Sequence, residues 1–227
     1  MSVRFTWLGH SAFVFEFDSH KVLLDPFLTG NPLAAGSPDD LEAEMIFLTH
    51  AHGDHIADAL AIARRTGAKI VANAEIANWA SRQGVESHGM NTGGGYDFGF
   101  VHAKLTPAFH SSSFPDGAYG GNPNGFVFST RSGQRVYFAG DTALFSDMSL
   151  IGAAGIDMAF LPIGDNFTMG PADSLAAIKL INPKVVVPMH YNTFPVIMVD
   201  VAGWANRVSS ETDAQPIVLD PGGSYSL

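Results

Sequence analysis

Thr49-His50-Ala51-His52-Gly53-Asp54-His55 carries three imidazoles and one carboxylate within six residues, directly after the apolar run Met45-Ile46-Phe47-Leu48. The run reads as a buried strand, and a strand that ends in a polar cluster delivers functional groups to a sheet edge. His50 and His52 are two positions apart, so a turn rather than a helix must aim both at one point. Gly53 is expected to supply the backbone freedom for that turn. Imidazole nitrogen and carboxylate oxygen are ligands that Zn²⁺ and its neighbours accept. At the His and Asp frequencies of this chain, the pattern HxHxDH arises by chance roughly once per thousand chains of this length. A metal-binding loop is the reading to prefer over a polar surface turn.

One such cluster does not complete two metal sites, so further ligands are expected at the ends of other strands. His110 follows Ala108-Phe109, Asp141 follows Val136-Tyr137-Phe138-Ala139-Gly140, and His190 follows Val185-Val186-Val187-Pro188-Met189. Each is polar and ends an apolar run, where open α/β sheets place functional groups. Taken singly, each could equally cap or hydrogen-bond a turn. Together with the first cluster they point to a metal centre.

The rest of the chain supports an alternation of strands and helices. Residues 3–8 and 11–18 read as strands around Gly9-His10, with Phe13, Phe15 and Phe17 alternating as in a half-buried strand. Further strands are expected at 22–25, 45–49, 68–74, 100–109, 125–130, 135–139, 156–163, 184–189 and 217–219. Helices are expected at 56–65, 75–83, 172–181 and 196–209, and a loop at 28–40. Arg131-Ser132-Gly133-Gln134 reads as a hairpin turn. Interleaved strands and helices argue for an α/β layered protein. No linker-like shift in composition divides the chain, so residues 1–227 read as a single domain.

The ligand order HxHxDH, then a lone His, then Gly-Asp after a strand, then a distal His, resembles that of the metallo-beta-lactamase superfamily. Trp7-Leu8-Gly9-His10-Ser11, Leu24-Asp25-Pro26, Leu161-Pro162-Ile163-Gly164, Asn166-Phe167-Thr168-Met169-Gly170 and Pro188-Met189-His190-Tyr191-Asn192-Thr193 narrow the likeness. They are similar to a bacterial and archaeal branch of small metal-dependent hydrolases resembling ascorbate-phosphate lactonases. The resemblance covers nearly the whole chain; its motifs are specific for fold and metals and unspecific for substrate. It implies an αββα sandwich with the site on one edge. By position, His50, His52 and His110 would bind one metal, Asp54, His55 and His190 another, and Asp141 would bridge them.

Other residues have open roles. His10, in its strand turn, reads either as an active-site contact or as a structural hydrogen-bonding group. His20, His88 and His102 read as surface or turn residues. Asp25 is expected to hydrogen-bond the ligand loop and orient its imidazoles. Asn166, Met169, Tyr191, Asn192 and Phe194 lie in loops near the ligands; His10, Asn166, Tyr191 and Asn192 are the candidates for substrate contact, against simple loop packing.

The expected activity follows from the ligands. A hydroxide bridging two divalent metals is a nucleophile at neutral pH, because coordination lowers the pKa of water to about 7. Asp54, at the metal edge, could also accept or relay a proton, which makes it the candidate catalytic carboxylate. The reaction class is hydrolysis of an ester, lactone or phosphoester in a small molecule. A nuclease or phosphodiesterase and a redox or metal-binding protein are the competing classes. Zn²⁺ is the first choice of metal, and Mn²⁺, Fe²⁺ and Ni²⁺ suit the same ligands.

Composition bounds these readings. The chain has 227 residues, 46% of them hydrophobic and 15% charged, which suits a large core. A formal charge of −10, with 12 Lys and Arg against 22 Asp and Glu, disfavours nucleic acid as a partner. It does not exclude an anionic small substrate, since metal ions can reverse the field in a cleft. There is no cysteine, so disulfides, thiolate metal sites and a cysteine nucleophile are excluded. Met1-Ser2-Val3-Arg4-Phe5-Thr6-Trp7 does not read as a signal peptide, and no apolar stretch reaches bilayer length. A cytoplasmic protein without a membrane partner is the expectation, and a homo-oligomer is compatible with it.

Overall fold

A computed structural model describes residues 3–227; the reading made for Met1 and Ser2 lies outside them. In the first half, β1 (Val3–Gly9), β2 (Ala12–Phe17) and β3 (His20–Leu24) form a meander, followed by β4 (Met45–Phe47), α1 (Gly53–Ile56), α2 (Ala59–Thr66), β5 (Lys69–Asn73), α3 (Ala74–Arg82) and β6 (Ser87–Met90). The second half contains β7 (Gly95–Asp97), β8 (Val101–Pro107), β9 (Asn124–Thr130), β10 (Arg135–Phe138), α4 (Met148–Gly152), β11 (Met158–Pro162), α5 (Pro171–Ile181), β12 (Val185–Met189), α6 (Val201–Glu211), β13 (Gln215–Pro216) and β14 (Ser224–Ser226).

These strands make two seven-stranded mixed sheets, in the orders β14-β1-β2-β3-β4-β5-β6 and β13-β12-β11-β10-β9-β8-β7. Period-2 patterning explains why the sheets stack. Phe5, Phe13, Phe15, Val22, Leu24, Phe47 and Val71 face the second sheet and share one core with Phe126, Phe128, Phe138 and Phe160. The intervening Leu23, Ile46, Leu48, Ile70 and Ala72 face the other way, against Ile62, Ile76 and Ala80 of α2 and α3. Phe160 meets Phe5 edge-on at 4.8 Å and Phe13 and Phe15 at 5.0 Å, so aromatic contacts join the sheets. With α4, α5 and α6 on the far side, the layers run α/β/β/α, as expected.

The expected helix 56–65 is two short helices, because Asp58 is recruited elsewhere. Its carboxylate accepts from Leu28 N, Thr29 N and Thr29 Oγ1 at 2.6–2.9 Å, fastening the 26–31 loop to the ligand loop. The expected helix 196–209 begins only at Val201, where Asp200 caps α6 through Gly203 N. Residues before it form one 3-10 turn, Pro195–Ile197. The strand expected at 217–219 lies instead at Gln215–Pro216. No helix among the described residues is long and apolar enough to cross a membrane.

Topology decides where the site lies. β1 runs parallel to β3 and β4, while β8 runs parallel to β10, β11 and β12. The ends of β1, β4, β8, β10 and β12 therefore collect on one edge of the sandwich. Two backbone hydrogen bonds stitch the sheets there: Asn124 N to Thr49 O at 3.0 Å and His190 N to His10 O at 3.1 Å.

Candidate metal centre

The geometry brings all seven candidate ligands to that edge. His50, His52 and His110 present ring nitrogens that lie within 4.8 Å of one another. A second set, Asp54, His55 and His190, does the same, and His10 joins it. Asp141 stands between the sets. Its Oδ2 lies 3.9 Å from His50 Nε2 and 3.6 Å from His110 Nε2 on one side. On the other side it lies 3.3 Å from His55 Nε2 and 3.0 Å from His190 Nε2.

Left-handed backbone makes this convergence possible. His10 and His190 both have φ of 54°, and Gly140, before Asp141, has φ of 63°. Gly53 has no such role: it opens α1 in ordinary backbone, and an added Cβ would meet only Pro115, at 3.8 Å. The freedom sought at Gly53 is used at Gly140, where a Cβ would press within 2.9 Å of Thr49.

Hydrogen bonds behind the ligands set their tautomers. Asp25, fully buried, accepts from Thr49 N at 2.9 Å and from Thr49 Oγ1 at 2.6 Å. With that hydroxyl proton committed, Thr49 Oγ1 receives His50 Nδ1–H at 3.0 Å, which leaves His50 Nε2 to face the centre. Asp25 Oδ2 also receives His55 Nδ1–H at 2.8 Å, leaving His55 Nε2 free. His52 instead points Nδ1 inward, 3.0 Å from His50 Nε2, while Ser111 Oγ lies 3.3 Å from its Nε2. The grouping of Asp25 with His50 and His55 is thus accounted for by hydrogen bonding, and Asp25 orients ligands of both sets.

Electrostatics match the chemistry of a cation site. Burial first, then neighbouring His55, pushes the His50 imidazole well down, so it stays neutral and able to ligate. Burial would raise Asp141, but His190 and His55 outweigh it and hold the carboxylate well below its usual range. Burial likewise opposes charge on His55, yet Asp141 and Asp25 hold that imidazole well up, so its surroundings favour a positive charge at Nε2, a proton that a metal ion would displace on binding. His55 Nε2 and Asp141 Oδ1 are buried without a hydrogen-bond partner. Buried ligand-type atoms left unpaired in this cluster fit a divalent ion that would satisfy them.

The substrate-contact candidates fare differently. A cavity of about 340 Å³ opens onto the ligands and is lined by His52, Asp54, His110, Ser111, Asp141, Phe167 and His190. His10 lies behind it, wholly buried, with Nε2 at 3.3 Å from Asp54 Oδ2 and Nδ1 at 2.8 Å from Thr193 Oγ1. Tyr191 is buried and stacks on Trp7 at 5.4 Å, away from the cavity. Asn192 uses Oδ1 to accept from Val199 N at 2.7 Å, which shapes its own loop. Asn166 is exposed and is not among the lining residues. Tyr191, Asn192 and Asn166 therefore stand off the cavity because loop packing claims them or their side chains point elsewhere. Phe167 and Ser111, which do line it, went unmarked, although each adjoins a residue already singled out.

Comparison with known proteins follows the same line. Residues 20–191 match the family model described as beta-lactamase superfamily domain. A protein of Pelotomaculum thermopropionicum named a metal-dependent hydrolase is 47% identical over 230 residues, covering 99% of this chain and 100% of its own length. A Thermus thermophilus protein, also named a metal-dependent hydrolase, is 50% identical over 220 residues, 97% of each chain. The solved structure of Igni18, described as a novel metallo hydrolase from Ignicoccus hospitalis, superposes with a TM-score of 0.93 at 39% identity, over 100% of this chain and 99% of that one.

Proposed function

This chain belongs to the beta-lactamase superfamily, and from that premise we propose that it is a metal-dependent hydrolase holding two divalent ions. Its relatives' names support the hydrolase, and the placement of Asp141 carries the two-ion reading. A single carboxylate oxygen within 3.9 Å of imidazoles from both ligand sets suits a bridge between two cations, with His50, His52 and His110 holding one and Asp54, His55 and His190 the other. Zn²⁺ is the first choice, and Mn²⁺, Fe²⁺ or Ni²⁺ suit the same donors.

When bound, such ions polarise the scissile carbonyl or phosphoryl oxygen and lower the pKa of water to about 7. The protein's own groups do the rest. Asp25 and Thr49 fix the imidazoles of His50 and His55 in the tautomers that ligate. Asp54 is partly exposed to the cavity; although burial opposes it, the hydrogen bond from His10 keeps its carboxylate ionised. In this reading Asp54, which lines the cavity, takes a proton from the attacking water and passes it to the leaving oxygen. The bond cleaved is an ester, lactone or phosphoester of a small molecule.

The test is elemental analysis of protein purified without chelator, with hydrolysis assayed on esters, lactones and phosphodiesters. The expected result is up to two divalent ions per chain and turnover that chelation abolishes. Reproducible absence of metal after reconstitution overturns the reading.

A further inference from the structure

The cavity says more about the substrate than about the bond. Its lining residues come from five segments, residues 48–58, 108–123, 139–147, 163–170 and 190–200, and none contains Lys or Arg. All 12 basic side chains of the protein lie in other parts of the chain. The fixed charges of these segments are aspartates, among them Asp54, Asp116, Asp165 and Asp200. Helix N-termini offer no substitute for a basic residue here, since α1 carries Asp54 in its first turn and α5 carries Asp173. A phosphate or carboxylate substituent lying beyond the reach of the metal ions is ordinarily held by charge-assisted donors, usually a forked Arg or a Lys. The residues lining the cavity include neither, and Arg82 lies in a separate groove with Asp116 and Tyr119.

What the edge provides is apolar surface. Phe167 lines the cavity and is 56% exposed; Phe109, beside His110, is 61% exposed. Val196 and Met198, in the loop after His190, are 61% and 62% exposed. Of nine large hydrophobic side chains exposed among the described residues, five (these four and Tyr119) belong to the edge segments. Exposed aromatic area beside a polar centre is what an apolar substrate arm would cover.

We propose, resting on the hydrolase reading, that the substrate is uncharged and carries an alkyl or aryl arm that lies on Phe167. A neutral carboxylic ester or lactone meets this description, and a phosphorylated metabolite does not. In the reaction the oxygen of water bonds to the carbonyl carbon, the acyl carbon–oxygen bond breaks, and the alkoxy oxygen leaves with a proton. The acid formed loses its remaining proton to solvent, and the aspartate-rich edge repels the resulting carboxylate outward.

The experiment compares p-nitrophenyl esters from acetyl to octanoyl, and lactones of matched length, with p-nitrophenyl phosphate and bis(p-nitrophenyl) phosphate, on protein whose metal content has been measured. We expect kcat/KM to rise with chain length and to exceed that of either phosphate by about tenfold or more. Phe167→Ala should raise KM for octanoyl about tenfold more than for acetyl, flattening that dependence, and Phe167→Leu should restore part of it. Calorimetric binding should favour N-octylacetamide over octanoate, a readout independent of turnover. Faster turnover of either phosphate, or a chain-length profile unchanged in Phe167→Ala, overturns the proposal and leaves the hydrolase reading intact. No turnover of any compound by metal-replete protein overturns the hydrolase reading itself and this one with it.

Discussion

At Asp141 a buried carboxylate meets imidazoles from the β4 loop, from the end of β8 and from the end of β12, and its Oδ1 has no hydrogen-bond partner. Asp141→Asn keeps the shape and removes the charge that would let two cations sit close together. The expected outcome is loss of activity and of at least one metal, with the circular dichroism of the fold retained. Asp147→Asn, at the exposed start of α4, should be nearly silent, and the reverse pattern would mean the ligand assignment is wrong. His10 gives a second prediction. Burial first, and His190 next, lower its pKa from 6.5 to about 4. Between those values the unfolded chain binds a proton that the native chain does not. Its contribution to stability is therefore complete above pH 6.5 and is lost as pH falls towards 4. Urea melts of chelated protein between about pH 7.5 and about pH 4.5 should show wild type losing more stability than His10→Gln. Parallel losses in the two proteins would refute it. The seven candidate ligands were legible in the sequence because four crowd the loop after β4 and His110, Asp141 and His190 each follow an apolar run; Phe167 was not, since only the folded loop shows which of Asn166 and Phe167 faces the cavity.

Among the elements, the junction of β11 and β12 controls His190. A Cβ on Gly164, just beyond β11, would stand 2.1 Å from His190 O and 3.1 Å from Ile197 Cβ. The nearest obstacle is backbone, so Gly164→Ala must displace the strand end that carries the candidate ligand His190. Overpacking of this kind typically costs about 1–3 kcal/mol, and weaker metal binding should accompany it. A variant with unchanged melting temperature and metal content would show that the junction can yield. Long apolar runs such as β11 and β12 declared themselves in the sequence. The edge strands did not: β6 reads Ser87-His88-Gly89-Met90 and β7 reads Gly95-Tyr96-Asp97, too polar and short to show a period. β14 exists by pairing with β1 across the whole chain, Ser226 opposite Arg4, which no local pattern announces. The split of α1 from α2 was hidden for a similar reason, because the partners of Asp58 lie about thirty residues away.

For the whole molecule, the aromatic core between the sheets contains none of the candidate ligands, so the fold is expected to persist without metal, and metal that binds the native state alone would add stability. At free metal about a hundredfold above Kd, one site contributes about 2.7 kcal/mol. A chain of this size converts that to about 5–10 °C. Chelation should therefore lower the melting temperature by roughly that amount while near-ultraviolet circular dichroism persists; unfolding on chelation would place the metal in the core's support instead. Finally, Asp25 gives one oxygen to the Thr49 backbone and the other to both the Thr49 hydroxyl and His55, while the same hydroxyl receives His50. His50 belongs to one ligand set and His55 to the other. Under the two-ion reading, loading either set pre-orders its neighbour through one shared anchor. Metal uptake should then be cooperative, with half-loaded molecules scarce at every point of a titration.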